Sequence, residues 1–371
     1  MINQIQPWIN DDEANYVKEV LKKKYLTESK ETIKFENNLK KKFKTKNAIT
    51  VSNWTNGIFL LLKAAGIKKG DEVIVPNLTF IASVTPIIWT GATPVLCDID
   101  VSNSCLDLDK LKKLINRKTK CIIPVHLYGH CCDLRKLFKI INDKKILIIE
   151  DAAQAMGATY ENKFLGTIGD MGGFSFYGNK IITTGEGGVI FFKNSKLKNK
   201  IYSLKNHGRK KKGIFKHSLI GYNFMFTEMQ AAVGNIQLKK FGKILKKKEK
   251  IFSLYKNNLK HINQINFLKP IEQNKPVHWF TNIIVKNKKK LKEHLYKNGI
   301  QTRDFFLPLN NQPCFLNTRL IKNINSKFPV SEYLYKCGLS LPSSYELTEK
   351  QIFFISEKIK EFYSKPKKKY V

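Results

Sequence analysis

The chain has 371 residues, 42% hydrophobic and 26% charged, which supports a folded core and excludes disordered, collagen-like and small disulfide-framed classes. Sixty-six basic against thirty acidic residues give a formal charge of +36, yet the only arginines are Arg117, Arg135, Arg209, Arg303 and Arg319. Nucleic-acid recognition favours the arginine fork, so this dispersed lysine excess reads as a solvated surface with no specific nucleic-acid partner.

Seven cysteines, an odd number, fit reduced thiols rather than a disulfide framework. No apolar run reaches eighteen residues, so no membrane span is expected, and the first twenty residues lack the basic and apolar regions of a secretory leader. The expected compartment is the cytoplasm. Along the first two-thirds of the chain, short apolar runs alternate with helical patterns. The runs at 48–52, 72–76, 94–98, 121–125, 146–150, 173–176 and 188–192 read as strands. Between them, 56–65 reads as a helix with Thr55 as its cap and Gly66 as its stop. Helices at 108–115 and 134–141 follow, the latter capped by Asp133. Buried strands separated by helices predict a mostly parallel sheet covered on both faces.

From Thr227 the texture changes. Met229, Val233, Ile236, Phe241, Ile244, Leu245, Phe252 and Tyr255 follow near-helical spacing over 227–259. A domain boundary is expected inside that helix, giving a large unit at 1–245 and a smaller α+β unit at 246–371. The smaller unit holds a strand at 279–285, a helix at 289–298 ended by Gly299, and a closing helix at 349–362. The tail 365–371 is expected to fray.

Two familiar site patterns fail. No G-x-x-x-x-G-K-[ST] loop is present, and the glycines at 185–190 precede a strand rather than a helix. His126, His130, Cys131 and Cys132 cluster without a second pair at zinc spacing, so no metal is expected. The informative segment is 148–190, IIEDAAQAMGATYENKFLGTIGDMGGFSFYGNKIITTGEGGVI. Its first strand carries Glu150 and Asp151 to its carboxyl end, where open α/β sheets place ligands. A second strand leads to Ser175 and then to Lys180, in a glycine-bordered turn. A lysine amine can form a Schiff base with an aldehyde cofactor while a carboxylate keeps a pyridine nitrogen protonated. An Asp–Lys structural ion pair would use the same residues, and the segment alone leaves both readings open.

Longer stretches decide further. The motifs PWINDDEANYVKEVLKKKYLT (7–27), GDEVIVPNLTFIASV (70–84), GATPVLCDID (91–100), PVHLYGH, EDAAQAMGA, GDMGGFSFYGNKIITTGEGG, KNHG (205–208), GYNFMFTEMQAAVGNIQL (221–238), GIQTRDFFLPLNNQP (299–313) and GLSLPSSYELTEKQI (338–352) occur in this order. Over nearly its whole length the chain resembles the DegT/DnrJ/EryC1/StrS family of pyridoxal-phosphate sugar aminotransferases. That resemblance implies a fold-type-I aminotransferase fold: a large domain with a mostly parallel seven-stranded sheet and a smaller C-terminal domain. It implies that Lys180 is the Schiff-base lysine and proton shuttle, and that Asp151 pairs with the pyridinium nitrogen. Gln154 would sit near the cofactor's phenolic oxygen, and Phe80 would stack on the ring. Ser175 and the amides of Thr55 and Asn56 would cradle the phosphate at a helix N-terminus. Asn223 would reach the phosphate of a neighbouring subunit, implying a homodimer with shared active sites.

The sequence departs from the family pattern twice. The usual S-N-G-T-A turn reads Ser52-Asn53-Trp54-Thr55-Asn56, so an indole replaces glycine. The usual G-Y-N-Y-R-M-T reads Gly221-Tyr222-Asn223-Phe224-Met225-Phe226-Thr227, without its arginine. Lysine rather than histidine at position 180 favours transamination over dehydration. The resemblance therefore implies amino transfer from L-glutamate to a nucleotide-linked 4-keto-6-deoxyhexose, of the perosamine or viosamine synthase type. Arg303, His278 and His207 are the expected substrate-side residues, an arginine being suited to a diphosphate. Within the small domain Arg303 could instead be an internal pair, His278 a packed histidine and His207 a turn residue. Amination of a different ketosugar is the alternative within the family. A basic nucleic-acid-binding protein on an inactive scaffold is the alternative outside it.

Overall fold

The computed structural model describes residues 1–142, 145–211 and 213–364, and the tail expected to fray lies outside them. The helices are α1 (Asp11–Lys22), α2 (Lys30–Phe43), α3 (Trp54–Ala64), α4 (Thr85–Trp89), α5 (Leu108–Leu114), α6 (Leu134–Ile141), α7 (Lys198–Lys205), α8 (Glu228–Leu259), α9 (Lys288–Lys297), α10 (Pro329–Cys337) and α11 (Glu349–Ser364). The strands of the larger part are β1 (Ala48–Val51), β2 (Glu72–Pro76), β3 (Thr93–Cys97), β4 (Thr119–Ile122), β5 (Leu147–Asp151), β6 (Thr159–Tyr160), β7 (Lys163–Phe164), β8 (Met171–Ser175) and β9 (Gly188–Phe192). After α8 come β10 (Ile265–Phe267), β11 (Asn274–Lys275), β12 (Thr281–Val285), β13 (Arg303–Asp304) and β14 (Gly338–Leu341).

The seven apolar runs predicted from the sequence form one seven-stranded sheet, in the order β1-β9-β8-β5-β4-β2-β3. Parallel pairing joins β8, β5, β4, β2 and β3, while β9 runs antiparallel to both β8 and β1. The sheet is therefore mostly parallel, as expected. Its strands are almost wholly buried, which is why they read as unbroken apolar runs rather than alternating ones. β2 and β9 have the predicted ends, and the other five strands differ from the predicted ones by a residue or more. The run at 121–125 leaves the ladder after Ile122 because Pro124 has no N–H to donate, and Val125 returns only as an isolated bridge to Asp151.

The cap of α3 also differs from expectation. Asn53, not Thr55, is the N-cap, and its side-chain oxygen accepts from the Asn56 amide at 2.9 Å. A polar side chain on extended backbone just before the helix can turn back to the first-turn amides, whereas one already inside the turn cannot. At α2 the cap comes from a distant residue. Glu228, the first residue of α8, accepts from the amides of Ser29 (2.7 Å), Glu31 (2.8 Å) and Thr32 (3.0 Å) and from the Thr32 hydroxyl (2.7 Å). Its negative charge also opposes the positive end of the α2 dipole. Glu228→Ala is expected to destabilise the fold by about 2 kcal/mol, read from urea unfolding, while leaving the cleft residues in place. An unchanged midpoint would show that the cap contributes nothing.

After α8 a second, antiparallel sheet forms in the order β10-β12-β14-β13 and packs with α9 and α11 around Ile283, Leu295, Leu339 and Ile355. We place the division of the chain within α8, where its buried residues pass from the first hydrophobic cluster at Ile244 to the second at Ile251. The N-terminus joins the second part in space. Ile2 bridges Ile300, and Gln4 donates to the Leu341 carbonyl at 3.5 Å. Among the described residues no helix is long and apolar enough to cross a membrane.

Candidate active site

The carboxyl ends of β5 and β8 lie side by side, with Asp151 opposite Gly173 in the ladder. Two residues beyond Gly173, Ser175 ends β8, and the turn that follows carries Lys180, whose amide donates to the Tyr177 carbonyl at 2.9 Å. Between these strand ends, the first turn of α3 and the chain beyond α8 opens a cleft of about 660 Å³. Eight of the residues expected in the site line it together: Lys180, Asp151, Gln154, Ser175, Thr55, Asn56, Phe80 and Arg303.

Lys180 is only half-buried because the cleft opens above it, but its ammonium sits deep among protein atoms, 4.0 Å from the centre of the Trp279 ring. Loss of water pulls its pKa from the ordinary lysine value to about 7. The Asp151 charge opposes that fall and the Arg303 charge adds to it. A lysine about half deprotonated at pH 7 supplies a nucleophile for an aldehyde and a base for a carbon acid. No ion pair joins it to Asp151, whose oxygens are engaged elsewhere. Oδ1 accepts from the Trp54 indole N–H (2.8 Å) and the Ala153 amide (3.1 Å), and Oδ2 from the Ser83 hydroxyl (2.6 Å). The structural ion pair is thus not what holds this segment together.

The other groups are free for a ligand in the sense each role requires. Gln154 Oε1 accepts from the Tyr128 amide at 3.1 Å, which leaves its side-chain nitrogen as a donor. Ser175 Oγ accepts from the Tyr177 amide at 3.2 Å, which leaves its proton available. The first turn of α3 carries no acidic residue, so its positive end is not neutralised by the chain itself. Asn53 already takes the Asn56 amide, leaving the amides of Trp54 and Thr55 as first-turn donors without an intrahelical partner. Phe80 is 53% exposed and stands 5.8 Å from the Phe306 ring. The guanidinium of Arg303 lies 5.7 and 5.8 Å from the Phe280 and Phe306 rings, and no carboxylate among the described residues pairs with it. A readily deprotonated amine, a buried carboxylate, a flat ring and an uncompensated helix end fit pyridoxal phosphate in size and in charge at each end.

Three expected residues lie elsewhere. His278 is not in the cleft: its ring stacks on Phe252 at 3.5 Å, and burial lowers its pKa to about 3. Its neighbour Trp279 takes the place beside Lys180, at a tight turn around His278 in which the Trp279 amide donates to the Val277 carbonyl at 3.0 Å. His207 is an exposed turn residue with a left-handed backbone (φ 55°), outside the cleft of its own chain. Asn223 is exposed and bridges Asn206, also outside that cleft.

Trp279, Ser83 and Phe306 also line the cleft and are not among the expected residues. Phe306 lies three residues after Arg303 and Ser83 three after Phe80, and that nearness to expected site residues is the signal that could have found them. The His–Cys cluster is structural. His126 Nε2 meets Glu150 Oε2 at 2.7 Å with both side chains fully buried, and Glu150 also accepts from the amides of Gly166, Ile168 and Gly169. Burial pushes the Cys132 thiol up to about 12, the opposite of a metal-ready thiolate. No cluster of three potential metal ligands occurs among the described residues.

Similarity to known proteins follows the same lines. Residues 7–360 match the pattern of the DegT/DnrJ/EryC1/StrS aminotransferase family. The chain is 36% identical to a GDP-perosamine synthase of Escherichia coli O157:H7, over 97% of this chain and 98% of that protein. It is 34% identical to a GDP-perosamine synthase of Caulobacter vibrioides, over 95% of each. Among solved structures, the PLP-form of the putative sugar aminotransferase Spr1654 from Streptococcus pneumoniae superposes with a TM-score of 0.92 at 26% identity, covering 97% of this chain and 98% of that one. DesV of S. venezuelae, in complex with a ketimine intermediate, gives 0.91 at 28% identity, covering 96% and 95%. Pattern, relatives and fold agree over nearly the full length, and this chain belongs to the DegT/DnrJ/EryC1/StrS aminotransferase family.

Proposed function

We propose that this pyridoxal-phosphate-dependent aminotransferase transfers the amino group of L-glutamate to C4 of a GDP-linked 4-keto-6-deoxyhexose, supplying an amino sugar for glycan assembly. The observation that carries the reading is the convergence of Lys180, Asp151 and an unpaired Arg303 in one cleft. Relatives named GDP-perosamine synthase, at 33–36% identity, support the choice of sugar. So does a solved structure with GDP-perosamine bound, of a GDP-4-keto-6-deoxymannose-3-dehydratase mutant, with a TM-score of 0.88 at 26% identity over 97% of this chain and all of that one.

When bound, the cofactor supplies an aldehyde for the amine and a ring that accepts electrons from the donor's Cα. The chain's own residues do the rest. Asp151 holds a proton at the ring nitrogen. The α3 N-terminus and Ser175 hold the phosphate, so the cofactor is fixed at both ends. Phe80 covers one face and excludes water from it. With the cofactor bound, Lys180 Nζ would take the proton from the donor's Cα, a task suited to a base whose pKa lies near 7. Arg303 offers a planar fork to the diphosphate of the acceptor. A second copy of the chain, bringing Asn223 to this cleft, completes a homodimer with shared sites. Seven free cysteines, five of them buried, support a reducing cytoplasm as the compartment.

The test is a panel of GDP-, dTDP- and UDP-linked ketosugars with L-glutamate as donor, with product regiochemistry read by NMR. An amine at C4 of the GDP-linked sugar is the expected product. Amination at C3, or turnover of a differently linked sugar alone, would overturn the substrate assignment but not the chemistry. Failure of glutamate to change the spectrum of the cofactor-loaded protein would overturn both.

A further inference from the structure

The indole that replaces glycine in the phosphate turn is buried, and its ring is packed at the floor of the cleft rather than turned away from it. Trp54 begins α3, so its backbone belongs to the phosphate end of the site, while its side chain reaches the carboxylate at the other end. Its N–H meets Asp151 Oδ1 at 2.8 Å. An indole N–H can only donate, so it is a partner for an anionic oxygen and none for a carboxylic O–H. Together with the Ala153 amide and the Ser83 hydroxyl it fills three of the roughly four acceptor positions of that carboxylate.

Room for the ring is provided by residues with no side chain. A Cβ at Gly57 would lie 2.7 Å from Trp54 Cε3 and 3.0 Å from Cζ3, and one at Gly173 would lie 2.3 Å from Cζ3. Gly173 is needed in any case, because a Cβ there would also meet the Val189 carbonyl at 1.9 Å. Gly57 is the informative one. It sits inside α3, where glycine disfavours the helix, and the ring is its closest contact. The sequence therefore gives up local helix preference one turn after Trp54 to admit the indole.

We propose that Trp54 is a positioning residue, whose N–H locks the Asp151 carboxylate so that its remaining acceptor position faces the ring nitrogen of the bound cofactor. This rests on the reading of Asp151 as the ring-nitrogen partner. Two variants separate positioning from simple space-filling. Trp54→Phe deletes the N–H and keeps a ring. Gly57→Ala keeps the indole but displaces it, and favours the helix. Each is titrated with pyridoxal phosphate, and the pH midpoint of the visible absorption band and the melting temperature of the cofactor-free protein are recorded.

Both variants are expected to bind the cofactor about tenfold more weakly, the worth of one buried charge-assisted hydrogen bond. Both should move the band's pH midpoint upward by about half a unit, as a less well held carboxylate releases the ring proton. A lowered melting temperature with wild-type affinity and midpoint in both would overturn the proposal and leave Trp54 a packing residue. Should Trp54→Phe fail to fold, Gly57→Ala alone decides, by the same two readings. An Asp151→Asn protein with wild-type affinity and spectrum would instead overturn the assignment of Asp151, and Trp54 would then have nothing to position.

Discussion

Lys180→Ala is expected to reduce turnover by on the order of 10³–10⁴-fold or more, because one amine serves as both covalent anchor and proton carrier. The variant should still bind the cofactor through the α3 N-terminus, Ser175 and Asp151. That cofactor would be held without a covalent bond and would be lost on gel filtration, whereas the wild type keeps it. The depressed pKa adds a pH dependence. An ordinary lysine is almost wholly protonated at pH 8, but one that titrates near 7 is mostly neutral there. Covalent uptake by the wild type should therefore rise as pH increases through about 7 and level off above it, followed by the visible band at a fixed cofactor concentration. Full activity in the alanine variant would remove Lys180 from the mechanism. Uptake that rose only toward pH 10 would show that the amine is not desolvated.

Asp151→Asn is expected to lower turnover by on the order of 10²–10³-fold, with both half-reactions affected together. The substitution is chosen to separate chemistry from folding. Alanine would leave the Trp54 N–H and the Ser83 hydroxyl buried without a partner, each a cost of about 1–3 kcal/mol. Asparagine can still accept from Trp54 at one atom, and its amide can donate to the Ser83 oxygen at the other, so the fold should survive. What disappears is the negative charge that keeps a ring nitrogen protonated. Single-turnover traces with glutamate should slow by the same factor as steady-state turnover, with little change in melting temperature. Equal rates in variant and wild type would mean that the carboxylate serves only to bind Trp54 and Ser83.

Which parts of this site could be read from the sequence follows from how far apart the interacting residues lie. Asp151, Ser175 and Lys180 fall within thirty residues, on two strand ends whose apolar runs are continuous, and the order of strand, turn and glycine marks them together. The seven strands of the sheet were legible for the same reason, since each is buried on both faces. The bond between Trp54 and Asp151 spans 97 positions and joins a helix start to a strand end, and no local pattern encodes it. His278 falls outside the cleft and Trp279 inside it because the chain turns tightly around His278, and the sequence does not mark which of two neighbouring rings such a turn presents inward. The short β6–β7 hairpin and α4 are too brief for periodicity to register.

The residues proposed to hold the cofactor all precede α8, whereas Arg303, Phe306 and Trp279 follow it. Changes in the C-terminal third can therefore alter the acceptor side while leaving Asp151 and Ser175 untouched, but at Trp279 or Arg303 they also reach the Lys180 amine and retune it.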